Sequence, residues 1–165
     1  NDISLRNRNN IRIFVAKNSD INAFILPNGT IYFTSALLDE KLSDEELAFV
    51  LAHEMGHYAK RDHLLALSRS IIVQSILALL FFDGDATINL LVNGTSNLSS
   101  LHYSKKSEFE ADRYAADTLV LLYGTKAGAV EFMQRLKNMK NEPPYFYYFS
   151  THPTWQERLQ LLNTY

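Results

Sequence analysis

The chain has 165 residues, 47% of them hydrophobic and 21% charged, with a formal net charge of −2. That composition fits one folded domain with room for a core, excludes a disordered chain and gives no electrostatic drive toward nucleic acid. The absence of cysteine beside five histidines excludes disulfide frameworks, zinc fingers, iron–sulfur clusters and thiol nucleophiles, so any transition-metal site must draw on His, Asp and Glu.

Residues 1–10 are polar and rich in Asn and Arg, which predicts a frayed start. The chain opens on Asn1 rather than Met, so flanking segments of a longer protein are expected. Ile11 to Ala16 reads as a short strand. Ala23 to Leu26 and Thr30 to Thr34 read as two more, joined across Pro27-Asn28-Gly29, an Asn-Gly hairpin signal. Ser43-Asp44-Glu45-Glu46 predicts a capping box opening a helix. Leu47, Val50, Leu51 and Met55 give that helix an apolar face, and it should run to about Lys60.

A second helix is expected from about Asp62 to Phe82, broken by Asp83-Gly84-Asp85. Its most apolar part, Ile71 to Phe82, is roughly a dozen residues against the ~20 that span a bilayer. It reads as a buried helix rather than one resting on a membrane. Further helices are expected from about Tyr103 to Tyr123, ending at Gly124, and from about Lys126 to Lys140, stopped by Asn141-Glu142-Pro143-Pro144. The aromatic run Tyr145 to Phe149 reads as a hydrophobic cluster under a loop in preference to a lid. Thr154, with Glu157 three residues on, predicts a second capping box for a C-terminal helix. The sum is a single α+β domain over residues 1–165, mainly α-helical, with a small antiparallel sheet near the N-terminus.

His53-Glu54-Met55-Gly56-His57 lies inside the predicted helix that ends near Lys60. Residues i and i+4 share a helix face, so both imidazoles can reach one metal ion. Glu54, beside His53, is angled toward the open side of that metal, where a carboxylate can take a proton from an activated water. Two readings supply a third ligand. One extends the motif to His63, but the pattern then requires Gly where the chain has Lys60. Without that break His63 lies about 240° around the axis from His57. The other uses a carboxylate of the helix over 103–123. Glu108 and Asp112 share a face, while Glu110 is about 200° from Glu108. Phe109, Ala116, Leu119 and Val120 give this helix an apolar side. A ligand Glu108 with Asp112 accepting a histidine ring N–H makes chemical sense, and spacing alone equally allows a solvated acidic face.

Taken in order, these segments resemble the zinc endopeptidases related to the CAAX prenyl protease and the heat-shock protease HtpX, nearest their soluble or peripheral bacterial members. The resemblance rests on Asn22-Ala23-Phe24, Gly29 to Thr34 and Leu37-Leu38, on Asp44 to Ala48 running into Leu51 to His57, and on Arg61-Asp62-His63. It continues through Ser107 to Asp112 and Ser150-Thr151-His152-Pro153 with Arg158. It covers about residues 11–162. The segment after the active helix is too short to span a membrane, unlike that of the membrane-embedded members.

The resemblance implies a zincin-like metalloprotease domain holding one zinc ion through His53, His57 and Glu108. Glu54 is then the general base and acid of peptide hydrolysis. Asp112 stands behind a ligand, and His152 lies at the active site, able to steady the oxyanion; packing beside Pro153 is its alternative. Arg158 either holds a carboxylate such as Asp112 or makes a surface pair, and His102 has no role. The implied substrates are unfolded or extended proteins and peptides, in protein quality control within a bacterial cell envelope or periplasm. The alternatives are a cytoplasmic or membrane-associated location, with peripheral membrane association through the flanks. The strand Thr30 to Thr34 is expected to offer an open edge for β-augmentation by an extended substrate. The competing functional reading is a non-catalytic or autoinhibited zinc-containing binding or chaperone-like module.

Overall fold

A computed structural model describes residues 11–62, 64–66, 68, 103–139 and 141–164. Strand β1 covers Arg12–Ala16, β2 Ala23–Ile25 and β3 Thr30–Thr34. The Asn28-Gly29 turn folds β2 onto β3 in antiparallel register, with Ala23 opposite Phe33 and Ile25 opposite Ile31. Gly29 takes φ 79°, and Asn28 Oδ1 accepts the Thr30 N–H at 3.0 Å, the local chemistry that makes Asn-Gly a turn. β1 lies parallel to β3 on its other side, with Arg12 beside Thr30 and Ala16 beside Thr34.

The strand order is therefore β1–β3–β2, and two expectations change. The sheet is mixed rather than antiparallel, because the chain leaving β1 crosses to the far edge before the hairpin begins. Thr30 to Thr34 is the central strand, paired on both sides, so it offers no open edge to a substrate. Ile31 and Phe33 point into the core with Ala23 and Ile25. On the opposite face Tyr32 stacks between Phe14 and Phe24, with ring centroids 5.7 and 5.3 Å away.

Helix α1 spans Ser35–Asp39, capped by the Thr34 hydroxyl. Helix α2 spans Asp44–Lys60 and opens on the expected capping box. Ser43 Oγ accepts the Glu46 N–H at 3.1 Å, and Glu46 Oε2 accepts the Ser43 N–H at 2.8 Å. Arg61 ends α2 in the left-handed conformation, φ 58° and ψ 29°, its N–H donating to the His57 and Tyr58 carbonyls. The helix thus stops without the glycine that the motif for three histidine ligands requires.

Helix α3 spans Lys105–Tyr123, from the Ser104 cap to Gly124. Helix α4 spans Ala127–Met139. A 3-10 turn over Pro143–Tyr145 leads into α5, Phe146–Thr151, and α6 spans Trp155–Thr164. The aromatic run is helical and belongs to the main core: Tyr145 and Tyr148 are buried, and Phe146 is exposed. The second capping box does not form. Thr154 has φ 66°, whereas an N-cap needs extended backbone. Its hydroxyl donates to the Pro153 carbonyl at 2.6 Å, and Glu157 pairs with Lys105 instead. Of the expected apolar side of α3, Ala116 and Leu119 are buried but Val120 is exposed. Residues 71–82, the Asp83-Gly84-Asp85 break, His63 and His102 lie outside the described residues. Among the described residues no helix is long and apolar enough to cross a membrane.

The core joins the inner sheet face to Phe49 and Val50 of α2, Ala116 and Leu119 of α3, and Phe132, Met133 and Leu136 of α4. Helices α2 and α3 come close where the small residues Gly56 and Ala111 meet. A Cβ on Gly56 would lie 3.0 Å from Ala111 Cα and 3.3 Å from Ala111 Cβ. That approach brings the histidine face of α2 within reach of the acidic face of α3. Replacing Gly56 by Ala gains about 1 kcal/mol of helix propensity but overpacks a backbone contact, at about 1–3 kcal/mol. The backbone neighbour cannot rotate aside, so Gly56→Ala is expected to lower stability in urea unfolding; equal or higher stability would remove the close-approach role.

Candidate metal centre

Capping and register on α2 put His53, Glu54 and His57 against α3, and all three are buried. Helix α3 turns Glu108 and Asp112 toward them, each 0% exposed. Glu110 points away and pairs with Lys60 and Lys106 at 3.8 and 3.7 Å. Helix α6 contributes Arg158, also 0% exposed, and the junction of α5 and α6 contributes His152.

Each helix histidine is oriented through its Nδ1–H. His53 donates to Asp112 Oδ1 at 2.9 Å, and His57 donates to Asp62 Oδ2 at 3.0 Å. This sets the orientation of each ring, so both Nε2 atoms face inward, where they lie 3.1 Å apart. Asp62 reaches His57 because the left-handed turn at Arg61 folds the chain back. Glu108 Oε1 sits 3.2 Å from His57 Nε2, and its Oε2 sits 3.7 Å from His53 Nε2. His152 Nδ1 lies 3.4 Å from His53 Nε2 and 3.3 Å from Glu108 Oε1. One ligand atom from each of His53, His57, Glu108 and His152 thus falls within 4.8 Å of the others. His152 stands inside this cluster, with its Nε2 3.5 Å from Glu54 Oε1.

Arg158 balances the carboxylates. Its Nε and Nη2 donate to Asp112 Oδ2 and Oδ1 at 2.7 and 2.8 Å, a two-pronged fork. Nη1 lies 2.6 Å from Glu108 Oε2, a close charge contact off the hydrogen-bonding direction. So Arg158 holds Asp112 as one of its two sequence readings has it, and touches Glu108 as well.

The electrostatics favour a cation. Burial pushes His53 down, and Arg158 adds to this, to about 4 despite Asp112. That ring is neutral with a bare Nε2. Burial also opposes charge on His57, but Asp62 and Glu108 outweigh it and raise the ring to about 9. Burial works against an ionised Glu108, yet Arg158 and His152 hold its carboxyl well below the usual range. Positive charge is therefore favoured where the two Nε2 atoms meet Glu108. Burial raises the Glu54 carboxyl, and neither of its oxygens has a hydrogen-bond partner among the described residues. Two imidazole nitrogens, a carboxylate and an unpartnered acid fit a divalent cation with a base beside it.

Sequence reasoning did not find Asp62 as a histidine partner. It also missed Tyr103, whose ring stacks on His57 at 3.8 Å and 11°, and Tyr148, whose ring lies 4.8 Å from His152. Asp62, five residues after His57 and just past the helix end, was a readable signal; the two tyrosines meet the site only through the tertiary fold.

The family profile described as peptidase family M48 matches residues 2–165. The chain belongs to that family, in agreement with the resemblance carried by the motifs. Relatives include "Metalloprotease LoiP" of Escherichia coli (strain K12), 30% identical over 92% of this chain and 60% of LoiP. "Metalloendopeptidase OMA1, mitochondrial" of Homo sapiens is 28% identical over 92% of this chain and 31% of that protein. A "Putative beta-barrel assembly-enhancing protease" of Vibrio cholerae is 30% identical over 88% of this chain and 32% of that protein. The chain thus spans less than two thirds of the length of these relatives.

Arg158 is the one described cation touching both Glu108 and Asp112. Arg158→Met leaves two buried carboxylates without it and is expected to cost about 3–5 kcal/mol, read from chemical denaturation. A loss under 1 kcal/mol would show that the charge cluster is not what holds α6 to α3.

Proposed function

We propose that this domain is a zinc-dependent endopeptidase that holds one zinc ion through His53, His57 and Glu108. The observation carrying this reading is the convergence of two inward Nε2 atoms and the Glu108 carboxylate beside the unpartnered Glu54. Zinc, when bound, supplies Lewis acidity toward water and the scissile carbonyl. Glu54 takes the proton of the attacking water and passes it to the leaving amine; its raised pKa suits both halves of that exchange. Asp112 and Asp62 keep the histidine rings in register, and Arg158 keeps Asp112 and Glu108 ionised. His152, within 3.5 Å of Glu54, serves to steady the oxyanion. For the whole protein we propose unfolded or extended protein substrates and a place in quality control of a bacterial cell envelope. The names of the relatives, among them a protease enhancing β-barrel assembly, support that setting.

The test pairs two variants. Glu54→Gln is expected to abolish casein cleavage while zinc content stays near one per chain. Glu108→Ala is expected to lose zinc and activity together. Retained cleavage by Glu54→Gln, or full zinc content in Glu108→Ala, would sink the assignment.

One observation favours an autoinhibited form of the same site. Catalytic zinc sites keep a position open, whereas four protein donors make a closed set, and His152 is the fourth donor of the cluster. In that reading His152 closes the site at rest. His152→Ala separates the two roles. We expect turnover to fall about 10²–10³-fold, as for loss of an oxyanion donor; a rise in turnover would instead identify His152 as the closing ligand.

A further inference from the structure

We propose that Tyr103 is a positioning residue that sets the ring plane of His57 and so tightens metal capture. The inference rests on the assignment of His57 as a zinc ligand. The hydrogen bond to Asp62 holds one ring nitrogen of His57 and the contacts with His53 and Glu108 hold the other, but the ring can still turn about the axis through the two nitrogens. Tyr103 removes this freedom on one face. Its ring lies flat on His57 with centroids 3.8 Å apart and planes within 11°. Among the described residues it is the one ring in that position. The His53 ring meets His57 edge-on, at 89°, and the His152 ring is 5.7 Å away.

Tyr103 is itself well anchored. Its N–H donates to the Thr151 carbonyl at 3.5 Å, and its ring lies 5.6 Å from that of His152. The next residue, Ser104, caps α3 by accepting the Ser107 N–H at 3.1 Å, one turn before Glu108. One residue therefore lays its ring on His57 of α2, ties its backbone to the end of α5 beside His152, and directly precedes the cap of the helix that carries Glu108. The stack also has the right electronic sense. An imidazole bound to a cation through Nε2 loses electron density, and the electron-rich phenol face then attracts it more strongly.

The test uses the full-length protein with zinc as the probe. In the wild type, NMR of the histidine side chains should show the His57 ring protons shifted upfield by the Tyr103 ring current. Tyr103→Leu should return them toward ordinary positions and weaken zinc about three- to tenfold in chelator competition. Tyr103→Phe keeps the stack and should hold zinc within about twofold of wild type. Unshifted His57 protons in the wild type, or unchanged zinc affinity in Tyr103→Leu, would overturn the proposal. If Tyr103→Leu does not fold, Tyr103→Met and the wild-type shift carry the test. A wild type that binds no zinc would defeat the ligand assignment and this proposal with it, while the ring shift still reports whether the stack exists.

Discussion

A guanidinium with no exposure to water underlies this site. Arg158 lies between Asp112, which it grips with two hydrogen bonds, and Glu108, which it touches by charge alone. Burying one ion is costly, and burying three is tolerable only when they satisfy one another. Remove the cation and the two carboxylates of α3 have reason to take up protons or turn outward. Asp112 would then no longer fix the His53 tautomer, and Glu108 would no longer present a charge to the Nε2 atoms. The orientation of a histidine on α2 therefore depends on an arginine on α6, through an aspartate on α3.

That relay requires the helices to sit very close, and the sequence carries this requirement in an inconspicuous form. Gly56 inside the histidine motif faces Ala111 inside the acidic motif, so the smallest side chains in both segments occupy the contact. Both motifs therefore serve two purposes, with metal-capable donors on one face and a narrow seam on the neighbouring one. The same split appears along α3. Glu108, Ala111 and Asp112 near its start are buried, while Leu121 and Leu122 near its end are 84% and 64% exposed.

What was legible in the sequence was local. The Ser43–Glu46 box, the Asn28-Gly29 turn, the Gly124 stop and the four-residue spacings of His53 with His57 and of Glu108 with Asp112 each arise within a few residues, and each has the predicted geometry. The features that differ or were missed depend on contacts between distant segments. β1 pairs in parallel with a strand that follows the hairpin's first arm, a choice no local pattern encodes. Thr154 follows the letters of a capping box but is held at φ 66° beside the buried His152. Tyr103 marks only a helix start in the sequence and Tyr148 only part of an aromatic run, because tertiary packing alone lays their rings against the histidines. Of the candidate site, the residue types on α2 and α3 could be read from their spacing, whereas His152 and Arg158 were marked only by the family resemblance and no local pattern carried their contacts.

The order in which the chain supplies these groups has its own consequence. His53 and Asp112 are 59 positions apart, His53 and His152 are 99, and Arg158 meets Asp112 across 46. No two of the three donor-bearing segments adjoin in sequence, so no short stretch of the emerging polypeptide can present the full donor set. Contacts of such separation form only after the entropy of closing long loops has been overcome. A nascent or partly unfolded chain therefore carries a histidine pair without the carboxylate and charge balance that complete it. An ion bound by the complete set stabilises the finished fold and none of its precursors. For a chain of a peptidase family, this couples the site to completion: the donor set and its charge balance are whole only after α6 has docked.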